Sequence, residues 1–459
     1  MTKDLTKGSP AKLIIAFTIP LILGNIFQQL YSMADTIIVG RTIGVNALAA
    51  VGATGSIMFL ILGFAQGLTS GFSIVTAQKF GAEDYEGVRK SVASSAILSL
   101  IITVILTILS VILVRPILEI MDTPVEIIEN AYKYIVIILY GIGASLIFNL
   151  LSNIIRALGD SRTPLLFLIG ASILNIALDF ILILNFSMGV AGAALATVIS
   201  QIVASILCFE YMRKKMPILK MKKKHWKIDT NFMLEELRIG LPMAFQISII
   251  AIGAMILQST LNKLGPTSVA AFTAAQKIDN LAIQPLASFG ITMATYVAQN
   301  YGANKIDRIR TGLRNCTIIS VSFSIIVGIL LIVTGKTIVG LFIGAEELEV
   351  IRLAHIYLLT NCSMYFVLAL LFIFRNTLQG LGQSFIPTVA GIMELIMRSF
   401  AALVLADKLG FLGASIASPI AWVGATIPMI IACLLTFKKL KHESLKNDYS
   451  EQEATAVNS

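Results

Sequence analysis

Asp35 stands inside an apolar run, with Asn25, Gln28 and Ser32 before it at helical spacing. The four share one stripe of a helix. Ile37, Ile38 and Val39 follow, so the run stays apolar beyond the acid. An ionisable group at that depth is costly in hydrocarbon, and the stripe therefore points at protein or water. Pro20, upstream on the same run, removes a helix hydrogen bond and marks a hinge. The plainer alternative places Asp35 near the outer interface, where it merely ends a helix.

A second constellation lies in ILNIALDFILIL, where Asn175 and Asp179 stand four apart on one face, with Thr197 in the next apolar run able to meet them. Two carboxylates brought together in a low dielectric do not readily both stay ionised, which makes a proton-exchange site. The same acids with amide oxygens would also hold Na⁺, and a structural pair that glues helices together is the alternative. Farther along, Gln276, Asn280 and Gln284 form a polar stripe, with Lys277 and Asp279 on the same run. These residues, with Tyr31 of the first run, are candidates for lining a substrate cavity. Glu394 and Arg398 are spaced to neutralise each other.

Enzyme chemistry has no foothold. No Walker A sequence is present, and the glycine-rich GASIAS and GAALAT read as close helix packing. Four cysteines without motif spacing and three scattered histidines support neither a disulfide framework nor a metal centre. No cofactor is expected.

The elements that carry these residues follow from composition. Of 459 residues, 56% are hydrophobic and 13% charged, about half the roughly 25% charge of a soluble domain. This is an all-α membrane protein. Runs long enough to cross about 30 Å of hydrocarbon occur at 13–38, 47–77, 91–114, 131–155, 164–184, 190–211, 240–262, 268–298, 315–335, 351–374, 386–406 and 411–436. The first has a polar interior and is too long for a signal peptide, so the mature protein is expected to keep its N-terminus.

Lysine and arginine gather in alternate loops: Lys79, Arg89 and Lys90; Arg162; the stretch 213–227; and Lys305, Arg308, Arg310 and Arg314. Lys3, Lys7, Lys12, Lys438, Lys439 and Lys441 add to the tails. By the positive-inside rule both termini are cytoplasmic. That topology explains the net charge of +9 and removes the need for nucleic acid as a partner.

The chain also repeats itself at a period of about 221 residues. Pro20 recurs as Pro242, QKFGA at 78–82 as QNYGA at 299–303, and LGDS with Pro164 as LGQS with Pro387. Gly189-Val190-Ala191-Gly192 recurs as Gly410-Phe411-Leu412-Gly413, and GVNALAA at 44–50 aligns with GPTSVAA at 265–271. Six spans per repeat give two halves of like orientation around an axis along the membrane normal. The expected domains are a six-helix bundle at 1–212, a basic cytoplasmic linker at 213–238, a second bundle at 239–437 and a cytoplasmic tail at 438–459. Together they make twelve transmembrane helices in two pseudo-symmetric bundles.

Pro20…Gln28…Asp35 with Val39-Gly40, LAAVG at 48–52, the QKFGA/QNYGA pair and the LG-x-S…P pair resemble the multidrug and toxic compound extrusion (MATE) family over about residues 8–437. The resemblance implies two bundles forming a V and antiport of organic cations and other drugs against H⁺ or Na⁺, with H⁺ preferred. Acids confined to the first bundle resemble the DinF-like branch. Its ion-coupling cluster would fall on Gln28, Asp35, Asn153 (or neighbouring Ser152), Asn175, Asp179 and Thr197. The NorM-like branch places acids in helices 7 and 10; here helix 7 carries Gln246, Ser248 and Gln258 and no acid, and helix 10 has His355, Asn361 and Arg375.

The expected protein is thus a monomeric multidrug exporter of a bacterial cytoplasmic membrane, with small-molecule drugs and the lipid bilayer as its partners. Two alternatives remain: a lipid-linked precursor flippase, which would want a strongly basic cavity, and a channel or receptor without coupled transport.

Overall fold

The computed structural model describes residues 4–457 apart from 122 and 345. The side chains of 342 and 443–457 lie outside that description, as do Lys3 and the end of the 438–459 tail. Among the described residues the structure is helical throughout, with ten single helices long and apolar enough to span a bilayer. Two bent pairs bring the spans to twelve.

The first bundle holds α1 (Pro10–Thr42), α2 (Val45–Gly81), α3 (Tyr85–Ile120), α4 (Val125–Tyr140 with Ile142–Ala157), α5 (Arg162–Asn185) and α6 (Val190–Lys215). The second holds α7 (Thr230–Lys263), α8 (Pro266–Gly302), α9 (Ile306–Ile343), α10 (Leu348–Cys362 with Tyr365–Gly380), α11 (Phe385–Leu409) and α12 (Phe411–His442). At 1.5 Å per residue, the 37 residues of α2 reach about 55 Å, so its ends project beyond a bilayer core.

α4 and α10 each bend by 47° at the same place in the repeat. The runs 131–155 and 351–374 read as single spans because an apolar pattern does not register a break in backbone hydrogen bonding. At the first break Gly141 is packed so closely on Val198 that a Cβ there would lie 2.3 Å from the valine. α5 and α11 share another feature, a π-helical turn near the end of each, Ile181–Asn185 closing α5 and Ala401–Leu405 one turn before the end of α11. The repeated glycines turn the chain in the same way twice: Gly159 and Gly382 have φ of 87° and 81°, Gly189 and Gly410 of 58° and 60°. A side chain at these angles would be strained.

The bundles meet along α2 and α7 and along α1 and α8. Near the lysine- and arginine-rich face the contact is backbone on backbone. A Cβ on Gly71 would fall 2.3 Å from Gly240 Cα, and Cβ atoms on Gly81 and Gly302 would fall 1.9 Å from the Gln299 and Gln78 carbonyls. Toward the opposite face Gly52 and Gly55 of α2 have no such neighbour within 4 Å. The two bundles therefore close at the basic face and part at the other.

The repeated glutamine explains that closure. Gln78 Nε2 of the first bundle donates to the Gly380 carbonyl of the second at 2.8 Å. Gln299 Nε2 of the second donates to the Ala157 carbonyl of the first at 2.7 Å. Each caps the last turn of the other bundle's bent helix, where carbonyls lack helical partners. The N-terminal segment lies over the same seam: Leu5 N–H donates to Gln299 Oε1 (2.9 Å) and Lys305 Nζ to the Thr6 carbonyl (3.0 Å).

The basic linker is also held. Glu86 at the start of α3 pairs with Lys224 (2.6 Å) and His225 (3.1 Å), while Arg89 Nε donates to the Ile218 carbonyl (2.9 Å). Glu236 of α7, fully buried, accepts from Ser91 and Ser95 of α3, each at 2.8 Å.

Candidate functional site

Asp35 on α1 and Asp179 on α5 come close to one another within the first bundle. Two carboxyl groups this close hydrogen-bond to each other only when one of them carries a proton. One oxygen of each, Asp35 Oδ1 and Asp179 Oδ1, is buried without a partner. No lysine, arginine or histidine forms an ion pair with either acid among the described residues. Asn175 and Asp179 are fully buried. In the amide orientation that satisfies its neighbours, Asn175 donates to Asp179 Oδ2 at 3.0 Å and accepts from Tyr31 Oη (3.3 Å) and the Thr197 N–H (2.9 Å). A buried hydrophobic cluster including Ile38, Val39, Tyr134, Ile138 and Ile183 packs in the same part of the bundle.

The structure therefore brings together Tyr31, Asp35, Asn175, Asp179 and Thr197. It does not bring the remaining two residues of the expected cluster to the acids. Asn153 donates to Thr69 Oγ1 (3.2 Å) and Ser70 Oγ (3.4 Å) and accepts from Arg156 (3.2 Å). Gln28 lines a separate polar cavity of about 130 Å³ in the same bundle, which Tyr31, Ser152 and Arg156 also line. α1 runs unbroken through Pro20, whose ring forms part of that cavity wall. Two side chains tie α1 to α8 of the other bundle: Asn25 to Ser288 (3.0 Å) and Thr18 to Thr292 (2.8 Å).

The second bundle is wired differently. Asp279 of α8 is buried and accepts from both Tyr357 and Tyr365 of α10, the first at 3.0 Å. Glu394 accepts from Arg398 (2.7 Å), as its spacing implies, and also from Arg375 (2.8 Å). Arg375 was not legible as a partner, because it lies on α10 and only tertiary packing brings it across. Asp279, Tyr357, Arg375, Glu394 and Arg398 line a cavity of about 780 Å³ between the bundles, roofed on the first-bundle side by Ser56, Phe59 and Met121. The volume falls in the range of drug-sized sites, about 300–1,000 Å³. Of the expected cavity residues, Gln276 and Asn280 line it; Lys277 and Gln284 do not, and Tyr31 belongs to the other bundle's cavity.

Twelve spans in two like bundles, with an acid pair lacking a counter-cation in one and a drug-sized cleft between them, define a membrane transporter. The family model described as MatE matches residues 20–181 and 242–404, once in each bundle, and the chain belongs to that family. It is 28% identical over 451 residues to the "Probable multidrug resistance protein YoeA" of Bacillus subtilis, covering 95% of each chain. It is 24% identical over 440 residues to the "Probable multidrug resistance protein NorM" of Thermotoga maritima, covering 92% of this chain and 90% of that one. A solved structure described as the outward-facing conformation of a multidrug resistance MATE family transporter of the MOP superfamily superimposes with a TM-score of 0.87 at 26% identity, covering 96% of this chain and 99% of that one. A MOP superfamily transporter from Pyrococcus furiosus, whose binding pocket is described as of reverse polarity, matches with the same score and identity over 95% and 98%.

Proposed function

We propose that this protein exports drugs and other small organic molecules across a bacterial cytoplasmic membrane in exchange for protons. The observation that carries the reading is the Asp35–Asp179 pair, two neighbouring acids with no counter-cation and one buried, unpartnered oxygen each. The proton is preferred to Na⁺ because the groups around the pair include an amide N–H and a phenolic O–H as well as oxygens. Loss of a proton held between them leaves two like charges side by side without a counter-cation, so the two protonation states favour different packings of α1 against α5. Substrate and proton each favour one state of the same equilibrium, which couples them. Both termini and the linker face the cytoplasm in this reading, and the cleft between the bundles opens outward.

Ethidium efflux from loaded cells under an imposed pH gradient, and separately under a Na⁺ gradient, tests it. Acidification outside should accelerate efflux; a response to neither gradient overturns antiport. A cysteine at Lys222 should resist an impermeant thiol reagent applied to intact cells, and labelling there overturns the orientation.

A further inference from the structure

We propose that the polar cavity of the first bundle is a binding site for the phosphate of an anionic phospholipid, reached sideways from the leaflet at the basic face. Arg156 is the single charged side chain lining that cavity. Its Nη1 donates to Asn153 Oδ1 at 3.2 Å, its Nε is buried without a partner, and it forms no ion pair among the described residues. A guanidinium in that setting retains donors for an oxyanion. Asn149, Ser152, Ser161 and Gln201 line the same space and offer neutral donors. The cavity, about 130 Å³, is several times the roughly 10–15 Å³ that one enclosed water needs.

A second observation says how a ligand arrives. On the outside of the bundle a groove of about 600 Å³ runs between α1 and α5. Its flanks are Ile15, Ile19, Leu23 and Leu166, all exposed, and Lys12 and Arg162 stand at its basic-face end. Pro20 and Leu165 line both the groove and the inner cavity, so one layer of side chains separates them. Two exposed cations beside an apolar trough fit an anionic headgroup with its acyl chain lying along the trough. A free anion would have no use for the apolar flank. The inference does not depend on proton coupling.

Purified full-length protein in nanodiscs would be photolabelled with phosphatidylglycerol bearing a diazirine near its headgroup, and with the phosphatidylcholine analogue of the same chains. Peptides would then be mapped by mass spectrometry. The anionic lipid should label the Asn149–Leu165 region several-fold more than the neutral one. Arg156→Gln should remove that excess and Arg156→Lys should restore most of it. Lys12→Gln with Arg162→Gln, two exposed changes that leave the interior intact, should reduce labelling of both groove and cavity. Equal labelling by the two lipids, or an excess that survives Arg156→Gln, overturns the site. Displacement of the label by millimolar inorganic phosphate overturns the lipid as ligand in favour of a free anion. No gradient or transport is involved, so antiport can fail while this holds, and the reverse.

Discussion

The two bundles share a fold down to the bent fourth helix and the π-helical turn near the end of the fifth, yet they handle buried charge in opposite ways. In the first, Asp35 and Asp179 face each other with no cation to balance them. In the second, Glu394 sits between two arginines and Asp279 between two tyrosine hydroxyls. A carboxylate held by two guanidinium groups has little reason to exchange its proton. A pair of acids sharing one proton has every reason. On the proposed reading the titrating site belongs to the first bundle alone, while the charges of the second line the cleft.

The largest effect should come from breaking the balanced side. Glu394→Gln leaves Arg375 and Arg398, both buried, facing a neutral amide. Removing one partner from a buried ion pair typically costs about 3–5 kcal/mol. Thermal unfolding of the detergent-solubilised variant should show a large loss of stability, visible also as reduced membrane abundance. A variant as stable as the parent would mean that the triad is solvated, and the contrast between bundles would weaken.

Breaking the unbalanced side should leave the fold standing and remove coupling. Asp35→Asn and Asp179→Asn keep volume and most hydrogen bonding but cannot titrate. Each should lower gradient-driven efflux by the roughly 5–150-fold that a coupling free energy of about 1–3 kcal/mol represents, at near-normal membrane abundance. If these residues only glue helices together, the amide should be tolerated, since such polar contacts average about 0.6 kcal/mol. Full resistance in cells carrying either variant would sink the assignment.

A smaller effect tests the symmetric part of the comparison. Gln78→Ala and Gln299→Ala each remove one cross-bundle bond to a helix-end carbonyl, worth about 0.5–1.5 kcal/mol, and Gln299→Ala also removes the bond from the Leu5 N–H. Each should raise thiol accessibility at the basic-face seam to a similar degree, and the double variant more than either. Unequal responses would show that the N-terminal segment, which bonds Gln299 and not Gln78, carries part of the closure.

Much of this was legible in the sequence, and the boundary has a physical cause. Helical periodicity placed Asp35, Asn175 and Asp179 on inward faces, and four-residue spacing paired Glu394 with Arg398, because those relations live within one helix. Asp279 with its tyrosines, Arg375 and the two glutamine clamps depend on which helix packs beside which. Asn153 was carried over by resemblance to the acids' cluster, but its side chain serves α2 and Arg156 instead. The breaks at 141 and 363–364 interrupt hydrogen bonds without interrupting hydrophobicity.

The smallest effect contrasts the two copies of the LG-x-S loop and gives a pH dependence. In the first copy Asp160 accepts from the backbone of Arg162 (3.0 Å) and Thr163 (3.1 Å), from the Thr163 hydroxyl (2.7 Å) and from Tyr211 (2.8 Å). Burial pushes its carboxyl up, but the hydrogen bonds from Thr163, Tyr211 and Arg162 outweigh that and hold it below its usual value. The second copy has Gln383, which accepts from Thr436 at 2.9 Å and cannot titrate. Because the folded value for Asp160 lies below the unfolded one of about 3.9, its contribution is fully present above that pH and fades as pH falls through the folded value. Asp160→Asn keeps one accepting oxygen but turns the other into a donor facing Thr163 and Tyr211, a loss of about 1 kcal/mol at neutral pH. The variant should be modestly less stable at pH 7, and its deficit should shrink as both proteins are acidified below pH 4. Gln383→Asn, the control in the other bundle, should show a deficit that does not change with pH. A constant deficit for Asp160→Asn as well would mean that the two loops are equivalent, and that the difference between the bundles is confined to their membrane interiors.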